Sequence, residues 1–527
     1  MKKLIFVFIY LFLVIPCQAR IITVDNDGQA DFNNIQSAIN DSNDGDTIIV
    51  ADGIYTGDGN RDISFLGKEI TLRSENGPEK CIIDCNGTET EPHRGFYFHN
   101  GEDSNSILEG FTITNGNKGY GAGIRCSSVS PKISNCVIIN NTAEGSSGGG
   151  ICCIKGYGVT VDNCIISENS AHSGGGLASF NDNFNPATND VIVINCTFSA
   201  NSAQYAGGAV SVGQLSKPSM VNCVLWGDTA LYGPEIDMFS GDWGSDLYIS
   251  FSNVQGGESS YPIPGLDWGP GNIDTDPCFA KPKNGDYHLK SQAGRWEPNS
   301  QTWVLDDVTS PCIDAGNPGC PIGDEPAPNG NRINMGAYGG TAEASKSPAN
   351  WRSIADLTND WVVDSNDLKV FVGYWLDTGD CIPSDLNRSQ FVDFKDFAIF
   401  GRQWSYPSAL EPGIFYQVED CNMEGGQYQP PDSNDMRFSV WVEGRYIHFK
   451  DLITANCCAD EIELQMTLED GLITIFEIEH LTIPCTCICD YPATAILGPF
   501  EPGDYTLEVY EDYGGFIGST TVVIEPP

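Results

Sequence analysis

The chain has 527 residues, too many for one ordinary domain, and 71 acidic against 27 Lys and Arg residues give it a formal net charge of −44. That surface argues against nucleic acid or an anionic membrane as a partner, and it favours divalent cations and solubility outside the cell. Twenty cysteines permit disulfides if the chain is exported.

Residues 1–19 read as a secretory signal peptide. Lys2 and Lys3 precede an apolar run over residues 4–15, and Cys17-Gln18-Ala19 offers a small-residue cleavage site. Pro16 is wrong for a lipobox, which argues against lipidation of Cys17. No second long apolar run follows, so no membrane span is expected. The expected location is extracellular, in solution or at the cell surface.

Residues 20–60 read as the start of a stacked β structure. Ile22-Thr23-Val24 is a strand, and Phe32, Ile35, Ala38 and Ile39 share one face of a short helix suited to capping an open end. Gly45-Asp46 turns the chain into Thr47-Ile48-Ile49-Val50 and then Gly53-Ile54-Tyr55; Ile70-Thr71-Leu72 and Cys81-Ile82-Ile83-Asp84-Cys85 follow. A block then repeats. Asn135-Cys136 leads to Asn141 and Gly148-Gly149-Gly150, Asn163-Cys164 to Asn169 and Gly174-Gly175-Gly176, and Asn195-Cys196 to Asn201 and Gly207-Gly208. Gly110-Phe111 opens a looser copy, and Asn222-Cys223 begins one that lacks its glycines, with Asp228 at the Asn position. A period of about 30 residues means stacked units that bury a core only together. Cys136, Cys164, Cys196 and Cys223 should form one inward column, and Asn141, Asn169 and Asn201 a hydrogen-bonded ladder at a corner. The pattern is a right-handed parallel β-helix.

Across residues 20–345 the chain resembles pectin methylesterases and related pectin-lyase-like β-helix proteins. Ser310-Pro311-Cys312-Ile313-Asp314-Ala315-Gly316 and Gly336-Ala337-Tyr338-Gly339-Gly340 resemble the closing segments of exported bacterial β-helices, which implies a C-terminal cap with Cys312 and Cys320 as a candidate pair. The family includes polysaccharide lyases, glycoside hydrolases and esterases, which need clustered carboxylates or a cationic base on an exposed groove. The paired-Asp and Gly-His-Gly marks of the hydrolases are absent, as is the esterase segment. Arg125, Lys155, Asp162 and His172 read as solvated surface charges, and Asp228 as an end-of-stack change.

Residues 342–351 read as a polar linker. Residues 352–406 then carry a loop-and-helix motif twice. Asp356, Thr358, Asp360, Asp364 and Asp367 stand at positions 1, 3, 5, 9 and 12 of a calcium loop, with the Val362 carbonyl at position 7. Asp385, Asn387, Ser389, Asp393 and Asp396 repeat this with the Phe391 carbonyl. Leu368, Phe371 and Trp375 follow the first loop at helical spacing, and Phe397, Phe400 and Trp404 the second. This module resembles a type I dockerin, which implies two Ca²⁺ sites and a cohesin-type protein partner. It departs from that family at position 6, normally Gly, with Trp361 and Gln390. At the partner-reading positions 10 and 11 it carries Ser365-Asn366 and Phe394-Lys395. Four carboxylates against three predict tighter binding in the first loop.

Residues 411–527 alternate as strands, at Phe438-Val440-Val442, Ile462-Leu464-Met466, Ile473-Ile475-Phe476, Tyr505-Leu507-Val509 and Thr521-Val523, and read as an immunoglobulin-like β-sandwich. Cys421, Cys457, Cys458, Cys485, Cys487 and Cys489 imply disulfides, or a zinc site with His448 or His480. The fold expected is mainly β: a parallel β-helix, a small α module and a sandwich. The function expected is a secreted carbohydrate-interacting β-helix tethered through calcium. A polysaccharide-degrading enzyme and a non-catalytic adhesin or structural solenoid are the alternatives.

Overall fold

The computed structural model describes residues 19–181, 190–238, 244–349 and 351–404, and eight strands between residues 413 and 524. The signal-peptide expectation therefore lies outside the described residues. The chain divides into two compact units, Met1–Trp404 and Ser405–Pro527.

The first unit is built on a parallel β-helix. Its coils contribute to a ten-stranded, an eight-stranded and a six-stranded parallel sheet, with a three-stranded sheet at one corner. Each coil repeats the last in register, as in Val137↔Ile165, Ile165↔Thr197 and Thr197↔Val224. Alternate residues point inward and fuse into one core running from Ile22 to Tyr261.

The ladders follow the repeat. Cys136, Cys164, Cys196 and Cys223 are buried in one column. The Cys136 amide donates to Cys164 Sγ at 3.4 Å and the Cys164 amide to Cys196 Sγ at 3.4 Å, and the Cys223 amide ends the row on Ser252 Oγ at 3.0 Å. Each thiol donates to a carbonyl two residues back, as Cys164 does to Asp162 at 3.2 Å. The Asn preceding each cysteine turns the corner in the left-handed region, with φ from 48° to 57°. At the next corner Asn141 Nδ2 donates to Asn169 Oδ1, and Asn169 Nδ2 to Asn201 Oδ1, both at 3.0 Å. Asn201 Nδ2 donates to Asp228 Oδ1 at 2.8 Å, so Asp228 is the last rung. The glycine cluster answers coil-to-coil approach: a Cβ on Gly149 would lie 2.5 Å from the carbonyl oxygens of Gly175 and Ser170.

The N-terminal helix α1 spans Ile35–Asp41, capped by Asn34, and buries Ile35, Ala38 and Ile39 as expected. Phe32 lies outside it, bridged to Val24 as extended chain. Of the two segments expected as an end cap, residues 336–340 lie along the stack instead. The Gly336 amide donates to the Asn222 carbonyl at 2.7 Å and the Ala337 amide to Thr197 Oγ1 at 3.0 Å, so residues 336–340 cover the outer flank of the eight-stranded sheet. Ile165 and Val224, outward on that sheet, are buried for this reason.

The expected Cys312–Cys320 pair does not form. Cys320 is bonded to Cys381, while Cys312 is a buried free thiol accepting from Asn253 Nδ2 at 3.1 Å. Residues 342–351 are also no free linker, since Ala344, Ser345 and Ser347 are buried and Ser291 Oγ donates to the Lys346 carbonyl.

The second unit contains two four-stranded sheets whose inward residues share one core, including Ile447, Phe449, Leu464, Ile475, Leu507 and Val522. On the last strand, Gly515–Ile524, the buried face is Val522 and Ile524 rather than Thr521 and Val523. Cys421, Cys457, Cys458, Cys485 and Cys487 lie outside the described residues, as do the side chains of Cys489, His448 and His480.

Candidate metal centre

The two acidic loops of residues 356–367 and 385–396 share the backbone-amide bonds to their carboxylates at positions 1, 9 and 12. In the first, Asp356 accepts from the amides of Asp360 at 3.1 Å and Trp361 at 3.0 Å. In the second, Asp385 accepts from Ser389 at 2.9 Å and Gln390 at 2.6 Å. Asp367 accepts from the Thr358 amide at 2.9 Å and Asp396 from the Asn387 amide at 3.0 Å. Trp361 and Gln390, where glycine is usual, adopt φ of 74° and 66°. The sharp turn survives without glycine because the position-1 carboxylate holds the following amides.

Each loop feeds a helix through a capping box. Asp364 caps α2, Ser365–Gly373, with Asp367 answering at the third position, and Asp393 and Asp396 do the same for α3, Phe394–Arg402. The buried faces meet where Phe371 packs against Phe400, ring centroids 5.1 Å apart.

Of the expected ligands, the structure converges Asp356, Asp360 and Asp367, whose carboxylate oxygens lie within 4.8 Å of one another. Thr358 Oγ1 donates to Asp367 Oδ1 at 3.0 Å. Asp364 and Asp393 serve as helix caps at position 9, where EF-hand loops often reach the ion through water. In the second loop Asn387 stands where the first has Thr358 and Ser389 replaces the acid Asp360, and Ser389 Oγ donates to the Phe391 carbonyl at 3.1 Å. Burial raises the carboxyls of Asp356, Asp367 and Asp396 above the usual range. Converging carboxylates held partly out of water are short of positive charge, and their hard oxygens suit Ca²⁺.

Two arginines beside the first loop escaped the sequence reading. Arg352 Nη1 lies 3.1 Å from Asp356 Oδ2 and its guanidinium stacks on Trp361 at 3.8 Å. Arg332, fully buried, donates to the Asp356 carbonyl at 2.7 Å. The spacing of Arg352 and Asp356 was a possible signal, while Arg332 comes from the solenoid side and had none. One of the first loop's four carboxylates is thus already paired, which removes most of its expected charge advantage.

The module is fastened to the solenoid. Besides the Cys320–Cys381 bond, the fourth residue of each loop reaches across: Asn359 Nδ2 donates to the carbonyls of Gly271 at 2.6 Å and Ala315 at 2.8 Å, and Arg388 to those of Cys320 at 2.8 Å and Asn331 at 2.7 Å. Positions 10 and 11 remain exposed in both loops, Phe394 at 77%.

On the solenoid, Glu235 Oε1 accepts from the Asp228 amide at 3.2 Å, and burial pushes both carboxyls up, each residue being 4% exposed or less. Asp162 pairs with Lys132 at 3.5 Å, and exposed His172 stacks on Tyr205.

A family model described as a right-handed β-helix region matches residues 82–237, and one described as disaggregatase related matches residues 249–316. No curated protein matches the chain. Among solved structures, pectate lyase Pel9A aligns at 15% identity over 60% of this chain and 96% of that one, with a TM-score of 0.32. Residues 82–237 therefore lie in a right-handed parallel β-helix. Among the described residues no helix is long and apolar enough to cross a membrane.

Proposed function

We propose that this is an exported carbohydrate-interacting β-helix protein. In this reading residues 352–406 are a dockerin-like module that binds two Ca²⁺ and docks on a cohesin-type partner, and residues 411–527 form an immunoglobulin-like sandwich. The observation that carries the reading is the repetition of one hydrogen-bonded acidic loop at Asp356 and again at Asp385. Chance acidic turns have no reason to share the same backbone amides on the carboxylates of positions 1 and 12. Asp356, Asp360 and Asp367, with the Val362 carbonyl, would hold the first ion; Asp385, Asn387, Ser389 and Asp396, with the Phe391 carbonyl, the second. When bound, the ion neutralises carboxylates that otherwise repel across the loop. With Arg352 on Asp356, the two sites should differ little in affinity, within about tenfold.

The solenoid presents stacked outward rows such as Thr47, Thr71, Ile107, Lys132 and Thr160 in strict register. A repeating surface suits a repeating polymer. Binding is favoured over cleavage because the Asp228–Glu235 pair is sealed from any glycan. Calorimetry on the mature chain should show two Ca²⁺ per molecule, and capture on a cohesin panel should vanish in chelator. A chain whose heat of binding and melting temperature ignore calcium would sink the module assignment.

A further inference from the structure

On the six-stranded sheet, Tyr97 of the strand Phe96–Phe98 stands beside Arg125 of Ile124–Ser127 on the outward face. The Arg125 side chain makes no hydrogen bond and no ion pair among the described residues, and its Nε is buried without a partner. Two rings hold it instead: its guanidinium lies 5.1 Å from the Tyr97 centroid and 5.6 Å from that of Tyr120. Tyr97 is also stacked against His99, ring centroids 3.9 Å apart.

A second cation backs the first. Arg94 is buried, 5.3 Å from the Tyr97 centroid, and spends its donors on the carbonyls of Tyr120 at 2.8 Å and Gly119 at 3.0 Å. That bond fixes the turn carrying Tyr120, which sits at φ 55° with its side chain 45% exposed. Bulky residues rarely adopt that backbone, and it persists only where the surroundings enforce it. Asp62 Oδ1 accepts from the Arg94 amide at 3.3 Å, and its carboxylate is also taken up by Lys118 at 2.8 Å and His93 at 2.6 Å. Burial and the charge of Arg125 together lower Arg94 to about 10.

In a chain of net charge −44, two adjacent guanidinium groups that make no side-chain ion pair among the described residues are costly. A cation held beside two rings has lost rotamer freedom, and it offers planar N–H edges that match a carboxylate or an oxyanion. The exposed Tyr120 face beside it suits the apolar face of a sugar ring. We propose that Arg125, Tyr97 and Tyr120 form a binding site for an anionic group carried on a saccharide chain. The proposal rests on the carbohydrate reading above and names its ligand class.

The test measures binding of the mature chain to polygalacturonate, whose anion is carboxylate, to dextran sulfate, whose anion is sulfate ester, and to uncharged dextran. At least one anionic polymer should bind tenfold or more tightly than dextran, and which one does so identifies the group. Arg125→Gln and Tyr120→Ala should each lose tenfold or more of that preference while keeping the wild-type melting temperature, since neither side chain donates a hydrogen bond to the fold. Anionic binding undiminished in Arg125→Gln overturns the proposal. Equal binding of all three polymers overturns it but leaves the carbohydrate reading standing. Failure of every polymer, with calcium-dependent capture intact, removes both.

Discussion

At the residue scale, the columns inside the solenoid set what each position tolerates. Cys164 is fully buried, and burial pushes its thiol well above the ordinary value. It is therefore a protonated packing residue with a weak donor rather than a nucleophile. Cys164→Ser should cost about 1–2 kcal/mol, whereas Cys164→Asp, which buries an unpaired charge, should cost about 4 kcal/mol or more in denaturant unfolding. A mild Cys164→Asp would mean the column does not face inward. Glu325 gives a pH prediction. Its Oε1 accepts from the amides of Asn334 and Gly340, and burial raises it from 4.5 to about 8. The folded state thus holds this proton more tightly than the unfolded chain. Its stabilising contribution is fully present below about pH 4.5 and is lost as pH rises through about 8. Melting temperatures between about pH 5 and 9 should fall less steeply in Glu325→Gln than in wild type; parallel curves would exclude Glu325 as the source.

At the element scale, the duplicated loops predict that Asp367→Ala and Asp396→Ala each delete one calcium step in a calorimetric titration and leave the other. Each substitution also removes half of a capping box, costing about 1 kcal/mol of helix stability. Loss of both steps in either variant would mean that the loops act as one site. These elements were legible because their signals are local: ligand spacing, helical period, and the repeat of Asn-Cys and glycine. The ladders were legible for the same reason, since stacking turns a period into a column. What the chain order hid depends on distant segments. Cys381 reaches Cys320 only once the module lies on the solenoid, and Arg332 meets the first loop from 24 residues upstream. Residues 336–340 showed their turn chemistry but not the flank they cover. Arg125 read as an ordinary surface charge because nothing in its own strand shows that Tyr120, five residues earlier, turns back over it.

At the scale of the whole molecule, the fastening of the module is the main departure from a solenoid followed by a swinging tether. The Cys320–Cys381 bond closes a segment of 61 residues, worth about 4 kcal/mol by chain entropy alone. Asn359 and Arg388 sit inside the loops and also bond to the solenoid, so calcium binding and docking draw on the same backbone. Loops that calcium orders should therefore grip the solenoid more firmly, and the disulfide should matter most when calcium is absent. In the Cys320→Ser, Cys381→Ser double variant, chelator should open residues 342–351 to limited proteolysis and split a separate low-temperature transition from the main melt. Added calcium should restore protection and merge the transitions. Wild type should resist protease with or without calcium. If the double variant in chelator resists cleavage as wild type does, then the hydrogen bonds of Asn359 and Arg388 hold the module without either clamp, and the coupling between ion and docking is absent.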